Sequence, residues 1–444
     1  MGAEKDIIVA VELGSTTIRA IAGRREPDGT MQILALAQER ATNSIRKGVV
    51  DNIDKTTQAI SKVVGQINEK LGIYTTRIYV GLSGQSLRTT QNKVSRSFDG
   101  KTKITNDMVD QLKDINRGEV YADSQILDVV PQEYRIGNRS IADAVGMLSD
   151  QIEARFMNVV ARTSLVENIE KCVHGAGLEL AELLISPLCL ADSLLSASEK
   201  RSGCALVDMG ADTTTVAVYT ANTLRHLVVI PLGGANVTAD IATKSMELEE
   251  AEILKLQYGT AYHQDSDTQS IHKIQLSFDR SIEEDVLQEI VEARYEEIIV
   301  NAWAHISDES HNLLSGIVLT GGACHVRNIT EAFSEHTRCN KPIRIAKGLP
   351  VNVTVSPDVQ LPEDENLYTV MALLQKGDQN CAGEAPVEKE AVQTELTFDT
   401  EEPKEEEIQL ETVAEEEKKE EKKTAKKVKN FWDKITSLLM DDEV

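Results

Sequence analysis

One short pattern occurs twice in the chain and limits the folds that the chain can adopt. In each copy an apolar stretch leads into an acidic residue, a Gly two positions later and a Thr three positions after that, before a second apolar stretch. The first copy spans residues 7–22 around Glu12, and the second spans residues 204–219 around Asp208. Apolar runs on both sides of a polar, glycine-containing turn predict a β-hairpin. One copy alone would be ordinary turn chemistry, but two copies in the same register predict two related domains.

The residue types in these turns suit a nucleotide and its metal ion. Glycine allows positive φ and close approach of a ligand to the backbone, and turn N–H groups and hydroxyls can hold phosphate oxygens. The predicted phosphate-binding residues are Gly14, Ser15, Thr16, Thr17, Gly210, Ala211, Asp212 and Thr213. Mg²⁺ prefers oxygen ligands and keeps several waters. We therefore predict that it is held, directly or through water, by Glu12 and Asp208.

A third element follows the two turns. An apolar strand ending at Thr320 runs into Gly321 and Gly322, and a helix is expected directly afterwards. The glycines leave room for a flat ring or a ribose against the backbone, and a helix N-terminus offers free N–H groups. Gly-Gly after a strand is weak evidence alone, but its position after two acidic turns strengthens the prediction of a nucleotide site.

Composition divides the chain into a folded part and a tail. Residues 1–376 alternate short apolar strands with amphipathic helices, which predicts an α/β fold. Residues 384–421 contain 16 acidic residues against 4 lysines, so this part cannot bury enough apolar surface to fold. We predict a disordered acidic linker over residues 377–425. The formal net charge of −25 argues against general nucleic-acid binding.

The C-terminal segment, residues 426–444, is predicted to form an amphipathic membrane-binding helix. Lysines precede it, and its apolar residues recur with the period of one helix face. The predicted membrane-binding residues are Val428, Phe431, Trp432, Ile435, Leu438 and Leu439. A helix docked on the protein's own core, or in the groove of a partner protein, are the alternatives. The acidic N-terminus does not fit a signal peptide, and no 18 apolar residues run together, so we expect a cytosolic protein.

The two turns resemble the phosphate-binding loops of the actin, Hsp70 and sugar-kinase superfamily, and residues 320–322 resemble its adenosine motif. Residues 251–255 are similar to the superfamily's helix that meets ribose and adenine. The resemblance implies an actin-like two-domain ATPase fold that binds ATP with Mg²⁺. It also implies an adenosine site formed by Gly234, Glu252, Lys255, Gly321 and Gly322.

Within the superfamily the chain resembles the FtsA family of bacterial cell-division proteins over about residues 5–376. The stretches that carry this resemblance are GLSGQ at 81–85, ILDVVPQEY at 126–134, GCALVDMG at 203–210, LRHLVVIPLGG at 224–234 and GIVLTGGA at 316–323. The second of them lies in the region that the family uses for its inserted subdomain.

The resemblance also implies subdomain boundaries. We expect subdomain 1A in residues 1–84, 162–198 and 346–376, and the FtsA-type subdomain 1C in residues 85–161. We expect subdomain 2A in residues 199–235 and 310–345, and subdomain 2B in residues 236–309.

The family further implies a scaffold at the cytoplasmic face of the cell membrane at the division septum. Such a protein self-associates into filaments, binds anionic lipid, holds the C-terminal peptide of the division GTPase FtsZ through subdomain 2B, and contacts later division proteins. Arg294 lies in the predicted 2B and could pair with an acidic peptide or form a structural ion pair.

Two departures from the superfamily pattern bear on catalysis. Glu12 stands where Asp is usual, and Ala211 and Asp212 stand where the family often has Gly-Gly. We therefore expect nucleotide binding with at most weak hydrolysis, and assign no catalytic base. A small-molecule kinase or a pilus-assembly ATPase of the same superfamily are the alternatives. Neither explains the tail as well, and a chaperone would need a β-rich substrate domain after the core.

Overall fold

The computed structural model describes residues 6–41, 43–263, 273–277, 280–362 and 367–384. The predicted membrane helix at 426–444, and all of the predicted acidic linker beyond residue 384, lie outside the described residues.

The chain starts with a sheet and one long helix. In order, residues 8–82 form β1 (Ile8–Leu13), β2 (Thr17–Arg25), β3 (Met31–Arg40), β4 (Ile45–Arg46), β5 (Val49–Val50), α1 (Ile53–Leu71), β6 (Tyr74–Thr75) and β7 (Arg77–Leu82). Helix α1 begins where the Asn52 side chain accepts a hydrogen bond from the Lys55 amide, and it ends at Gly72, whose φ is 62°. Its buried face packs on β2 and β3.

An inserted subdomain follows, with very long strands. It consists of β8 (Arg88–Lys103), α2 (Asn106–Arg117), β9 (Ser124–Ile136), β10 (Arg139–Ile141) and β11 (Leu148–Arg162). Helix α2 covers one face of β8 and β9 and closes a separate apolar core that includes Ile104, Leu112 and Phe156. The insert therefore has a core of its own, as expected of a subdomain.

The chain then completes the half of the fold that contains β1, β2 and β3, called the first half. It next builds the second half, which contains β13, β14 and β18. The elements are α3 (Thr163–Gly175), β12 (Glu179–Ile185), α4 (Ser186–Leu194), α5 (Ala197–Ser202), β13 (Cys204–Met209), β14 (Thr214–Thr220), β15 (Thr223–Ile230), α6 (Gly234–Ala242), α7 (Leu248–Tyr258), β16 (Lys273–Ser277), β17 (Arg280–Glu283), α8 (Glu284–Ala304), β18 (Ile317–Thr320), α9 (Ile329–Thr337) and β19 (Ile343–Ile345). Short 3₁₀ helices span Ser307–Asn312 and Gly322–His325. The chain returns to the first half in β20 (Val353–Val355), α10 (Tyr368–Lys376) and β21 (Ala382–Gly383).

Two sheets organise these elements. The first half has the strand order β12-β7-β1-β2-β3-β20, and the second half forms the β15-β14-β13-β18-β19 part of a nine-stranded sheet. In each half an antiparallel hairpin, β1–β2 or β13–β14, lies next to a parallel strand. Both predicted hairpins are therefore present, at equivalent places in two similar sheets.

The insert is joined to the second half as well as to the first, which the sequence did not indicate. Strand β8 continues the sheet beyond β15 through the pair Arg88 and Val228. The Thr89 hydroxyl accepts from the Leu227 amide at 2.9 Å. The Gln132 amide nitrogen donates to the Leu224 carbonyl at 2.9 Å. These contacts bridge positions more than 90 residues apart, so no local pattern reveals them.

The predicted start of the linker at residue 377 is wrong. Strand β21 pairs with β6, and the amide of the buried residue Cys381 donates to the Ile7 carbonyl at 2.7 Å. The Tyr79 hydroxyl donates to the Asp378 carboxylate at 2.8 Å and accepts from the Gln379 amide at 2.9 Å. Polar residues here hold buried backbone, so a polar composition does not mark the end of the fold.

The helix expected directly after Gly321-Gly322 is also different. A single 3₁₀ turn, Gly322–His325, follows the glycines, and α9 begins only at Ile329. Asn328 precedes α9 with a left-handed φ of 59°. The N-terminus of an α-helix is therefore not adjacent to the glycine pair.

Within the described ranges, no helix combines the length and the apolar character needed to cross a membrane.

A pair of stacked histidines in the second half of the fold predicts that the protein becomes less stable in acid. His226 of β15 and His305 after α8 stack with ring centroids 5.3 Å apart, and their facing nitrogens are 3.3 Å apart. Burial lowers the pKa of His226, and the charge of His305 lowers it further, while Asp308 and Glu309 oppose this. The unfolded chain therefore binds more protons than the folded protein near and below pH 6.5. The contribution to stability is full above that pH and is lost as the pH falls through the folded pKa.

We expect His226→Gln to reduce the loss of unfolding free energy between pH 7.5 and pH 5.5. Because the pair is partly exposed, the change should be below about 1 kcal/mol. Urea titrations at the two pH values measure it. His174→Gln, at an exposed position of α3, serves as the control. An equal loss in the wild type and in His226→Gln would contradict the prediction.

Candidate functional site

The first turn places a carboxylate beside an arginine. Glu12 lies near the end of β1, opposite Arg19 in the hairpin register. The Arg19 Nη1 is 3.7 Å from the Glu12 Oε2, and the two side chains are only 12% and 16% exposed. Burial raises the pKa of Glu12 to about 7, and although Arg19 lowers it, the negative charge of Asp208 adds to the increase.

The second turn places Asp208 at the matching position. Asp208 lies at the fifth position of β13, and burial raises its pKa to about 6. In the parallel pair of β13 and β18, Asp208 lies opposite Thr320. Gly321 has a φ of 88°, and a Cβ there would lie 2.5 Å from the Asp208 Oδ1. Gly321 is therefore required by both its backbone conformation and its contact with the carboxylate.

The two carboxylates fit a divalent cation. They come from opposite halves of the fold and repel each other. In the described part of the chain, the buried Glu12 Oε2 and Arg19 Nε have no hydrogen-bond partner. No group of three or more His, Cys, Asp or Glu side chains suited to a metal was found among the described residues. The two carboxylates alone suit Mg²⁺, which is commonly bound through one or two carboxylates, substrate phosphates and water.

The second turn is fixed to the start of α6. The Gly210 amide donates to the Thr213 carbonyl at 2.8 Å, which closes the turn. The Gly234 amide donates to the Gly210 carbonyl at 3.0 Å, and the Ala235 amide donates to the Ala211 carbonyl at 2.7 Å. The Gly210 amide is therefore engaged within the turn, which leaves the other turn amides and the Thr213 hydroxyl as candidate phosphate donors.

A buried lysine joins α6 to α7. The Lys255 Nζ donates to the Gly234 carbonyl at 3.1 Å, to the Thr238 hydroxyl at 2.9 Å and to the Glu252 carboxylate at 2.6 Å. Lys255 is 8% exposed. A Cβ at Gly234 would lie 3.0 Å from the Cβ of Ala323, which follows the glycine pair. Gly234, Glu252 and Lys255 are therefore assembled next to the 3₁₀ turn after Gly321.

Two hydrogen bonds connect the hairpin β4–β5 to the turns. The Lys47 amide donates to the Asp212 Oδ2 at 2.9 Å, and the Gly48 amide donates to the Ser15 hydroxyl at 3.3 Å. A cavity of about 500 Å³ adjoins these contacts and is lined by residues of both halves: Ser15, Thr16, Arg40, Ala41, Asn43, Ile45, Arg46, Asp51 and Asp212. Ser15 and Thr16 of the first turn and Asp212 of the second therefore line the same cavity.

The structure brings most of the predicted site residues together. The contacts above link Asp208 to Gly321, and Asp212 and Ser15 to the hairpin β4–β5. Gly234 belongs to the cluster around Lys255, and the charge of Asp208 acts on Glu12. Thr17 belongs to β2 and lines a neighbouring cavity of about 770 Å³, and Gly322 opens the 3₁₀ turn. The roles of all these residues toward a nucleotide remain predictions.

Sequence reasoning missed Arg19 and the tip of the hairpin β4–β5. The signal for Arg19 was the hairpin itself, because the position of the turn decides which residue lies opposite Glu12. The signal for the tip was the Lys47-Gly48 pair between short β-branched segments. For Arg294, the structure shows a structural ion pair with Asp240 at 2.7 Å and a second contact with Glu297.

Comparisons with known proteins bear on the family of the chain. The family model described as cell division protein FtsA matches residues 205–363, and the model described as the SHS2 domain inserted in FtsA matches residues 84–160. The Porphyromonas gingivalis cell division protein FtsA is 31% identical over 341 residues, which cover 74% of this chain and 70% of that protein. The Enterococcus hirae FtsA is 29% identical over 446 residues, which cover 98% of this chain and 99% of that protein.

Among solved structures, a chain of the PilM–PilN type IV pilus biogenesis complex matches with a TM-score of 0.58 and 15% identity. The match covers 83% of this chain and 97% of the pilus protein, and at this identity it shows a shared fold alone. The sequence relatives therefore decide between the division protein and the pilus-assembly alternative. The chain belongs to the FtsA family of cell-division proteins and has that family's actin-like fold with an inserted SHS2 domain.

Proposed function

We propose that the protein binds ATP with Mg²⁺ between the two halves of its fold. The observation that carries this proposal is the pair Glu12 and Asp208, two buried carboxylates from opposite halves that repel each other. The phosphates would lie between the turns at Gly14–Thr17 and Gly210–Thr213, and the adenosine would lie beside Gly234, Glu252, Lys255, Gly321 and Gly322.

Bound Mg²⁺ would neutralise phosphate charge, held by Glu12 and Asp208 directly or through water. Arg19, whose buried Nε has no partner in the described part of the chain, offers a further positive charge to a phosphate. Glu12 is one methylene longer than the usual Asp, and Arg19 partly neutralises its negative charge. Hydrolysis is therefore at most weak. The main consequence of ATP is the closing of the two halves around one ligand.

In the cell, the proposed role of the protein is that of a membrane-bound scaffold of the division ring. Its family supports self-association into filaments, attachment of FtsZ through the FtsZ C-terminal peptide, and recruitment of later division proteins. The basic and apolar residues of segment 426–444 support peripheral binding to anionic lipid at the cytoplasmic face of the membrane. Each tail binds weakly, and a filament that links many tails binds firmly.

The metal ligands can be tested by substitution. We expect Glu12→Gln and Asp208→Asn each to weaken ATP binding in the presence of Mg²⁺ by about 10-fold to 100-fold, as loss of a charged partner costs roughly 1.5–3 kcal/mol. Calorimetric titration of ATP with Mg²⁺ and with EDTA measures the effect, which should be small in EDTA. Glu39→Gln is the control, since Glu39 pairs with Lys62 on the surface of the first half. Unchanged Mg²⁺ dependence in both site variants would rule out the assignment.

The membrane tail can be tested separately. Trp432→Glu should abolish sedimentation of the full chain with anionic liposomes, because a charged side chain replaces the largest residue of the apolar stripe, while ATP affinity stays unchanged. Thr424→Glu, outside the stripe, adds the same charge and is the control. If Trp432→Glu also removes ATP binding, the tail is part of the fold rather than an anchor.

A further inference from the structure

A polar cavity of about 770 Å³ lies in the first half, beside the start of helix α1. We call it the α1 cavity. Its walls come from the start of β2, the end of β3, the corner at Ser44 and the first turns of α1, all in the first half. The cavity at the two turns is lined by residues of both halves, and among the described lining residues Arg40 alone is common to the two cavities. The α1 cavity is therefore a separate space beside the proposed ATP site.

The lining of the α1 cavity is basic, although the protein as a whole is acidic. The chain carries 72 acidic residues against 47 lysines and arginines. The lining has four basic side chains and one acidic side chain: Arg19, Arg40, Lys55, Lys62 and Glu39. Glu39 is paired with Lys62 at 2.7 Å, whereas Arg40 and Lys55 form no ion pair within the described ranges. Positive charges that converge without acidic partners favour an anionic ligand.

Two buried polar side chains in the wall of the α1 cavity are incompletely satisfied. Ser44 is 2% exposed, and the Arg19 side chain is 12% exposed. Among the residues that the structure describes, neither the Ser44 Oγ nor the Arg19 Nε has a hydrogen-bond partner. A buried donor without a partner costs free energy. A ligand with acceptor oxygens in this cavity would recover that cost.

The donors around the α1 cavity are held on rigid elements. The Ser44 carbonyl accepts from the Asp51 amide at 2.9 Å and from the Thr56 hydroxyl at 3.3 Å, which ties the corner to the first turn of α1. Three further lining residues recur along α1 with the three- and four-residue spacing of one helix side: Lys55, Gln58 and Lys62. A ligand would therefore meet a largely preformed set of donors.

We propose that the α1 cavity binds a free anion that carries two or more phosphate groups, at a site separate from the proposed ATP site. Arginine and lysine bind phosphate oxygens through charge-assisted hydrogen bonds, and the Ser44 hydroxyl adds a neutral donor. The basic groups lie on β2, β3 and α1 around a large cavity, so several phosphate groups are needed to reach them. Because Arg19 and Ser44 are recessed, a small free anion fits this site better than a headgroup held in a bilayer. The site uses the first half alone, so it does not depend on the proposed ATP binding.

Calorimetric titration of the full chain with tripolyphosphate, which carries no nucleoside, tests the site. One sample contains a saturating non-hydrolysable ATP analogue with excess Mg²⁺, and the other contains no nucleotide. We expect tripolyphosphate to bind in both samples without displacing the analogue. Lys55→Glu and Gln58→Glu should each weaken its binding by at least about 10-fold, because each places a negative charge in the lining. Lys55→Glu suits the fold, since the first turn of a helix favours an acidic side chain.

Ser61→Glu is the matched control, since it adds the same charge at an exposed position of α1 that is not among the lining residues. It should bind tripolyphosphate as the wild type does, and thermal melts establish that each variant is folded. If Lys55→Glu does not fold, Gln58→Glu alone decides.

Three results overturn the site: no binding of tripolyphosphate by the wild type, no loss in the two cavity variants, or an equal loss in Ser61→Glu. Displacement of the ATP analogue also overturns it, because the cavity would then be part of the nucleotide site. A wild type that binds tripolyphosphate but not the ATP analogue overturns the proposed function and leaves the α1 cavity as an anion site.

Discussion

Two buried carboxylates, each near the end of a central strand in its half of the fold, lie near enough for one to repel the other. Removing Glu12 and Asp208 from water raises the pKa of each, and their mutual repulsion adds to the cost. Arg19 offsets only part of it, from 3.7 Å away. Burial of like charges without a counter-ion is so unfavourable that it is retained mainly where a ligand supplies the missing positive charge. The two hairpins, Gly321 and the neighbouring α6 all keep this pair in position.

The inserted subdomain has a different relation to the halves than its position in the chain suggests. It leaves and re-enters the first half at residues 84–87 and 162, yet its strand β8 extends the sheet of the second half. Thr89 and Gln132 add side-chain hydrogen bonds to β15. A subdomain bonded to both halves is sensitive to the angle between them. A change in that angle would therefore also move the insert.

The sequence was sufficient for the features that depend on local patterns. Both acidic hairpins and the strand before Gly321 follow from apolar runs interrupted by glycine-containing turns, and the structure has all of them. The contact between Lys47 and Asp212 could not be predicted, since it joins positions 165 residues apart and depends on how the halves pack. That residues 377–384 belong to the fold could not be predicted for another reason. Asp and Asn side chains usually face solvent, but here the Asp378 carboxylate accepts from the Tyr79 hydroxyl and the Asn380 side chain accepts from the Ile7 amide.

The attachment of residues 378–383 has a mechanical consequence. Any tension applied to the chain beyond Glu384 acts first on the short pairing of β21 with β6 and on the hydroxyl of Tyr79. The next bond in line is that between Cys381 and the carbonyl of Ile7, immediately before β1. Glu12 lies near the far end of that same strand. A force on this end of the chain would therefore enter the fold along the strand that carries Glu12, and would be felt at the carboxylate that faces Asp208 from the other half.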